Sequence, residues 1–194
     1  MHRIALVATL LALSSPAHAD EVTDLTKACK AGKATKCEDL AEKYLAGDGV
    51  DKDEAKHLEL LTRACDLKSS RACNNVGTSW SDGKNGATDK DHAKARKYYE
   101  KACAMKNGLG CFNLGNVYRL AEGVPEDLKI ALANFKKSCD LDEAKGCTEQ
   151  GIMYYEGKAV PKNVKKAVEL LEKACKLKSE AACKNVEILK NANP

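Results

Sequence analysis

Four segments of the chain, CEDLAEKY (37–44), CNNVGTSW (73–80), CFNLGNVY (111–118) and CTEQGIMY (147–154), share one arrangement of apolar and polar positions. Counted from each cysteine, position +3 holds Leu40, Val76, Leu114 or Gln150. Position +4 holds Ala41, Gly77, Gly115 or Gly151, and position +7 holds Tyr44, Trp80, Tyr118 or Tyr154. Offsets 0, +3, +4 and +7 fall on one face of a helix, which predicts an amphipathic helix A in each segment. The small residue at +4 lets a neighbouring helix approach closely, and the aromatic at +7 fills the adjoining space. Turns punctuated by glycine or proline follow, at GDGV (47–50), SDGKNGAT (81–88), EGVPED (122–127) and EGKAVPKN (156–163). A second helical stripe then leads back to the next cysteine: Leu58, Leu61 and Ala64; Leu132 and Phe135; Val168, Leu171 and Ala174. This is helix B.

The unit repeats along the chain. Its ten cysteines form pairs eight residues apart, and the pairs begin 36, 38, 36 and 36 residues after one another. A period of this length marks a solenoid of stacked helix pairs. The expected chain is a leading helix B, four A–B pairs and a final helix A, CKNVEILK (183–190). Glu187 and Lys190 there replace the small and aromatic residues of earlier units, as a capping helix requires. His57 departs from the repeat, standing where later units carry Ala95, Ala131 and Ala167. It reads as a tolerated or locally bonded histidine at the edge of the core.

Ten cysteines allow about 945 pairings. Five equivalent units, each with two cysteines, most simply close five local bridges. Eight residues of unbroken helix would hold two cysteines about 12 Å apart, and a disulfide needs Cα atoms closer than about 7 Å. Bridging therefore requires a turn within each intervening segment, KAGKATK, DLKSSRA, AMKNGLG, DLDEAKG and KLKSEAA, and none of these carries an apolar stripe. Zinc is the rival explanation, but structural zinc sites favour two to four residues between paired cysteines. No Cys-x-x-Cys occurs, so neither a metal site nor thioredoxin-type redox chemistry is expected.

Composition sets the compartment. His2 and Arg3 precede an apolar run, Ile4 to Leu13, and Ala17-His18-Ala19 gives a small-x-small cleavage pattern. Residues 1–19 are expected to be a secretory signal peptide, with residues 20–194 as the exported repeat domain in the periplasm or outside the cell. The run is too short for a membrane helix of roughly twenty residues, so no membrane insertion is expected. An even cysteine count in an exported chain agrees with a disulfide framework. Loss of Arg3 from 32 basic residues, against 28 acidic ones, leaves a net charge near +3. So mild a balance does not point to nucleic acid.

The pattern C-x-x-L-G-x-x-Y, a G-x-G-V or V-P turn, and K-A-x-x-x-x-K-A-C resembles the Sel-1-like repeat, a relative of the tetratricopeptide repeat. The cysteines eight apart resemble the Helicobacter cysteine-rich proteins in particular. The resemblance covers essentially residues 20–191. It implies an all-α fold, a right-handed α-solenoid with a concave groove, and one disulfide per repeat: Cys29–Cys37, Cys65–Cys73, Cys103–Cys111, Cys139–Cys147 and Cys175–Cys183. It also implies one of two functions: a protein- or peptide-binding adaptor, or a penicillin-binding protein with weak β-lactamase activity, taking a β-lactam or cell-wall peptide.

The residues favour the binding module. Serine β-lactamases need a Ser-x-x-Lys at a helix start, with S-D-N and K-T-G elements. The one Ser-x-x-Lys, Ser81 to Lys84, falls at a glycine-rich turn without those companions, and only His57 and His92 remain beyond residue 19. No catalytic residue, metal or cofactor is assigned. In the related tetratricopeptide solenoids, positions equivalent to +1, +5 and +8 of helix A line the groove. Here the middle of that strip offers Asn74, Phe112, Asn116, Arg119 and Tyr155, a set of amides, one cation and two rings suited to a peptide.

Overall fold

The computed structural model describes residues 16–84, 86 and 89–192. The apolar run of the expected signal peptide lies outside these. Among the described residues there are ten helices and no strand: α1 (Pro16–Lys30), α2 (Ala34–Ala46), α3 (Glu54–Asp66), α4 (Ser70–Asp82), α5 (His92–Ala104), α6 (Gly108–Arg119), α7 (Leu128–Asp140), α8 (Ala144–Glu156), α9 (Val164–Lys176) and α10 (Glu180–Ala192). Even-numbered helices are the A helices and odd-numbered ones the B helices. None is long and apolar enough to cross a membrane.

Each helix packs mainly on the next, and α4 also touches α6, as α6 touches α8. The A helices are thus the closer-spaced layer and form the inner, concave wall. Between A and B the contact follows from the small +4 residue. A methyl group on Gly77 would come within 2.6 Å of the Tyr99 ring, and one on Gly115 within 2.6 Å of the Phe135 ring. Tyr99, Phe135, Leu171 and Leu61 all stand four residues before a cysteine, and all are buried against the preceding A helix. The +7 aromatics Trp80 and Tyr118 each touch two successive core clusters and join neighbouring units. Lys94 covers the Trp80 ring at 3.9 Å, a cation–π contact.

The A-to-B turns use one device throughout. The amides of Asp53, Asp91, Asp127 and Asn163 donate to the carbonyls of Tyr44, Trp80, Tyr118 and Tyr154 at 2.8–3.0 Å. The side chains of the same four residues then cap α3, α5, α7 and α9, satisfying helix N–H groups that have no partner within the helix.

The B-to-A junctions are only three residues long, and both cysteines of each pair lie inside the flanking helices. Five disulfides close there, Cys29–Cys37, Cys65–Cys73, Cys103–Cys111, Cys139–Cys147 and Cys175–Cys183, with Cα–Cα distances of 4.4–4.7 Å. At each junction the third residue after the first cysteine is left-handed: Gly32, Lys68, Lys106, Asp142 and Lys178. The following amide bonds back to a carbonyl five residues earlier, as Ser69 does to Ala64 at 2.9 Å and Asn107 to Ala102 at 3.0 Å. That is the Schellman ending, and it turns the chain sharply enough for the cysteines to meet.

Two departures from the repeat are accommodated. His57 is buried with Nδ1 3.0 Å from the Ala41 carbonyl oxygen, a bond made by the tautomer carrying its proton on Nδ1. Gln150 is buried within α8.

Candidate functional site: the concave groove

Three adjoining depressions follow the A helices along the inner wall. The first is lined by Thr78, Ser81 and Asp82 of α4, Asn113 and Asn116 of α6, and Tyr99, Leu120 and Glu122; it holds about 230 Å³. The second, about 260 Å³, lies between α6 and α8, with Arg119, Glu126, Glu149, Ile152, Glu156 and Lys158 on its walls. The third, about 300 Å³, lies between α8 and α10 and is walled by Ile152, Tyr155, Leu171, Ile188 and Leu189, with Glu156 and Asn185. Ile152 and Glu156 belong to both the second and the third.

The five expected groove residues do not share one environment. Asn116 and Arg119 are held together: the Asn116 Oδ1 accepts from the Arg119 guanidinium at 2.9 and 3.2 Å. Asn116 faces the first depression, Arg119 the second and Tyr155 the third. Tyr155 is 39% exposed, with the Lys162 ammonium 4.7 Å from its ring. Asn74 is only 5% exposed. Its Oδ1 accepts from Asn113 Nδ2 at 2.8 Å, across the α4–α6 contact. Phe112 packs on Phe135, ring centres 5.8 Å apart, with the Lys145 ammonium 5.7 Å from its ring. At position +1, Asn74 thus serves the contact between successive A helices, and Phe112 packs on the following B helix, α7.

The walls keep positions +5 (Thr78, Asn116, Ile152, Ile188) and +8 (Ser81, Arg119, Tyr155) of the expected strip. In place of +1 they use +2 (Asn113, Glu149, Asn185) and +9 (Asp82, Leu120, Glu156), which the sequence reading missed. The recurrence of asparagine two residues after Cys73, Cys111 and Cys183 was a readable signal. So was Ile188, an isoleucine 63% exposed on an otherwise polar capping surface.

Chemically the first depression is a set of hydrogen-bonding groups around a phenol. Tyr99 donates to Thr78 Oγ1 at 3.4 Å. Burial pushes its hydroxyl above the ordinary tyrosine value; bonding with Thr78 and Ser81 pulls the other way, and the charges of Asp82 and Glu122 push up again. Ser81 lies in the last turn of α4, with Lys84 beyond the left-handed Gly83. The serine of a β-lactamase begins a helix instead. Among the described residues, no group of three or more His, Cys, Asp or Glu is placed to hold a metal ion.

A further depression of about 290 Å³ opens between α1, α2 and α3, walled by Thr26, Lys30, Tyr44, Lys56, Glu59 and Arg63. Its charges are already engaged: Lys56 pairs with Glu59 at 2.8 Å, and Arg63 donates to the Cys29 and Lys30 carbonyls.

The fold and its seams define a class, the disulfide-stapled α-solenoid of short helix pairs. The Sel1 repeat model matches residues 37–69, 70–107, 108–143 and 145–179, and the chain belongs to the Sel1 repeat family. Among solved structures it is similar to a Sel1 repeat protein from Oxalobacter formigenes, with 28% identity and a TM-score of 0.76 over 89% of this chain and 49% of that one. It is also similar to cysteine-rich protein B of Helicobacter pylori, with 35% identity and a TM-score of 0.57 over 69% of this chain and 94% of that one. A protective antigen of uropathogenic Escherichia coli with an SLR fold shares the architecture, at 23% identity and a TM-score of 0.79 over 85% of this chain and 35% of that one. The chain thus spans about half the length of the Oxalobacter protein and a third of the Escherichia one. No curated protein sequence matches it.

Proposed function

We propose that this chain is an exported protein-binding module that takes a polypeptide segment in its concave groove. Sel1 repeats are protein-interaction modules, and the finer reading rests on one observation. The three depressions form a file along the A helices, and that file collects hydrogen-bonding side chains, a guanidinium and the exposed Tyr155 and Ile188. A preformed concavity with apolar walls and a few convergent polar groups is the ordinary form of a ligand site. Export is supported by the five disulfides, which persist in oxidising compartments, and by the Ala17-His18-Ala19 pattern behind an apolar run.

The test is capture of partners from the exported proteome by the oxidised chain beginning at Asp20, compared with Asn116→Ala/Arg119→Ala. A partner retained by the first and lost by the second supports the groove. Unchanged capture by the double variant sinks the assignment.

A further inference from the structure

The charge of the groove is opposite in sign to that of the chain. Over the whole sequence basic residues exceed acidic ones by four. Along the three depressions the walls carry five carboxylates, Asp82, Glu122, Glu126, Glu149 and Glu156, against two cations, Arg119 and Lys158. Lys162 stands beside them on the Tyr155 ring. One of the two cations is already matched, since Lys158 pairs with Glu156 at 2.9 Å. Arg119 is turned onto the Asn116 amide. Glu126 and Glu149, in the middle depression, have no ion pair among the described residues.

Next to these carboxylates lies the most apolar part of the groove. Ile152, Tyr155, Leu171, Ile188 and Leu189 surround a space of about 300 Å³, large enough for one branched aliphatic side chain and part of its backbone. Ile188 leaves most of its side chain in solvent, and Tyr155 more than a third. The two features share a wall, Ile152, so one ligand segment meets both.

We infer that the occupant is an extended polypeptide segment carrying an aliphatic side chain for the Ile152/Tyr155/Ile188 pocket and a lysine or arginine for Glu126 and Glu149. Packed helices lie about 8–10 Å apart, and an extended segment of polyproline II form advances about 3.1 Å per residue with three residues per turn, so side chains three residues apart share the groove-facing side at about that spacing. Apolar burial supplies affinity, and the carboxylates supply selectivity and steer association, both weakened by salt. This inference rests on the groove being the binding surface, and it adds the chemistry of what binds.

The experiment selects a random peptide library on the oxidised chain. Selected peptides are then measured by fluorescence anisotropy on the parent, Ile188→Ser and Glu126→Gln/Glu149→Gln. Melting curves check that each variant is folded; all three positions lie at the surface of the groove. The expected consensus is aliphatic-x-x-Lys or aliphatic-x-x-Arg in either chain direction. Its affinity should fall at least tenfold in Ile188→Ser and in Glu126→Gln/Glu149→Gln, and it should fall with added salt. An acidic or uncharged consensus whose binding is lost in Ile188→Ser overturns the basic occupant and leaves the groove standing. Peptides indifferent to all three substitutions, or a library with no consensus, overturn both.

Discussion

The junctions at the cysteines and the inner groove are built from the same helices, yet they treat polar groups in opposite ways. At the junctions nearly everything is bonded. Disulfides close them, backbone amides return to the preceding helix, and long cations reach back one unit. Arg63 donates to the carbonyls of Cys29 and Lys30, Lys101 lies 3.2 Å from Asp66, and Lys173 binds both the Cys139 carbonyl at 2.7 Å and Asp142 at 2.8 Å. Each of these cations stands two residues before a cysteine. Two of them hold the last carbonyls of the preceding B helix, where the helix dipole favours positive charge. Glu38, 5% exposed, is held by Ser69 and Arg71 of the next unit. In the groove Glu126 and Glu149 lack ion pairs among the described residues, while Tyr155 and Ile188 face solvent. Polar groups that hold one another hold the fold, and groups left open are free to bind.

If this division is right, damage to the seams costs stability and damage to the groove costs binding. The largest effect is reduction of the five disulfides. Each closed loop is worth about 2.5 kcal/mol in the chain-entropy model, so together they rival the roughly 5–15 kcal/mol of a whole domain. Reductant is expected to abolish the cooperative melt followed by circular dichroism. Peptide mapping under non-reducing conditions should recover only pairs eight apart, and any other linkage breaks the scheme.

A substitution inside the A–B contact comes next. Gly115→Leu drives a side chain into the Phe135 ring and is expected to cost about 1–3 kcal/mol as overpacking, measured by denaturant unfolding. A neutral result would mean that the close approach is not what holds A to B. By contrast, Asn116→Ala/Arg119→Ala should change stability by less than about 0.5 kcal/mol, as surface substitutions do, while partner capture is lost. A large loss of stability there would erase the distinction between seam and groove.

Smaller effects sharpen the picture. Lys106→Gly relieves a left-handed lysine at φ 61° and should stabilise by up to about 1 kcal/mol, seen as a raised melting temperature. Tyr99 supplies a pH dependence with a defined sign. Its folded-state pKa is raised, so its contribution is fully present below the ordinary value of 10.0 and is lost as pH rises through the folded value. Tyr99→Phe should flatten the alkaline loss of stability. An unchanged slope from about pH 9 to about pH 12, the span over which a phenol ionises, would refute it.

Much of this was legible along the chain because the physics of the repeat is local. Offsets of 0, +3, +4 and +7 define a helix face whatever surrounds it, and a glycine facing Phe135 or Tyr99 one helix later follows from the unit itself. The groove was less legible. Asn74 reads as exposed when α4 is considered alone, and it is buried because α6 lies over it and Asn113 takes its amide oxygen. The same stacking extends the open strip to Asn113, Glu149 and Asn185 and leaves Ile188 beside Tyr155.

By itself the sequence determined the unit: two helices, the turn between them, and cysteines placed to meet across a turn within the seven intervening residues, all set by contacts between residues near one another in the chain. Only the tertiary structure decided which face of the A helices remains open. That choice depends on the angle at which one unit lies on the next, and the angle is set by side chains about 36 residues apart acting together.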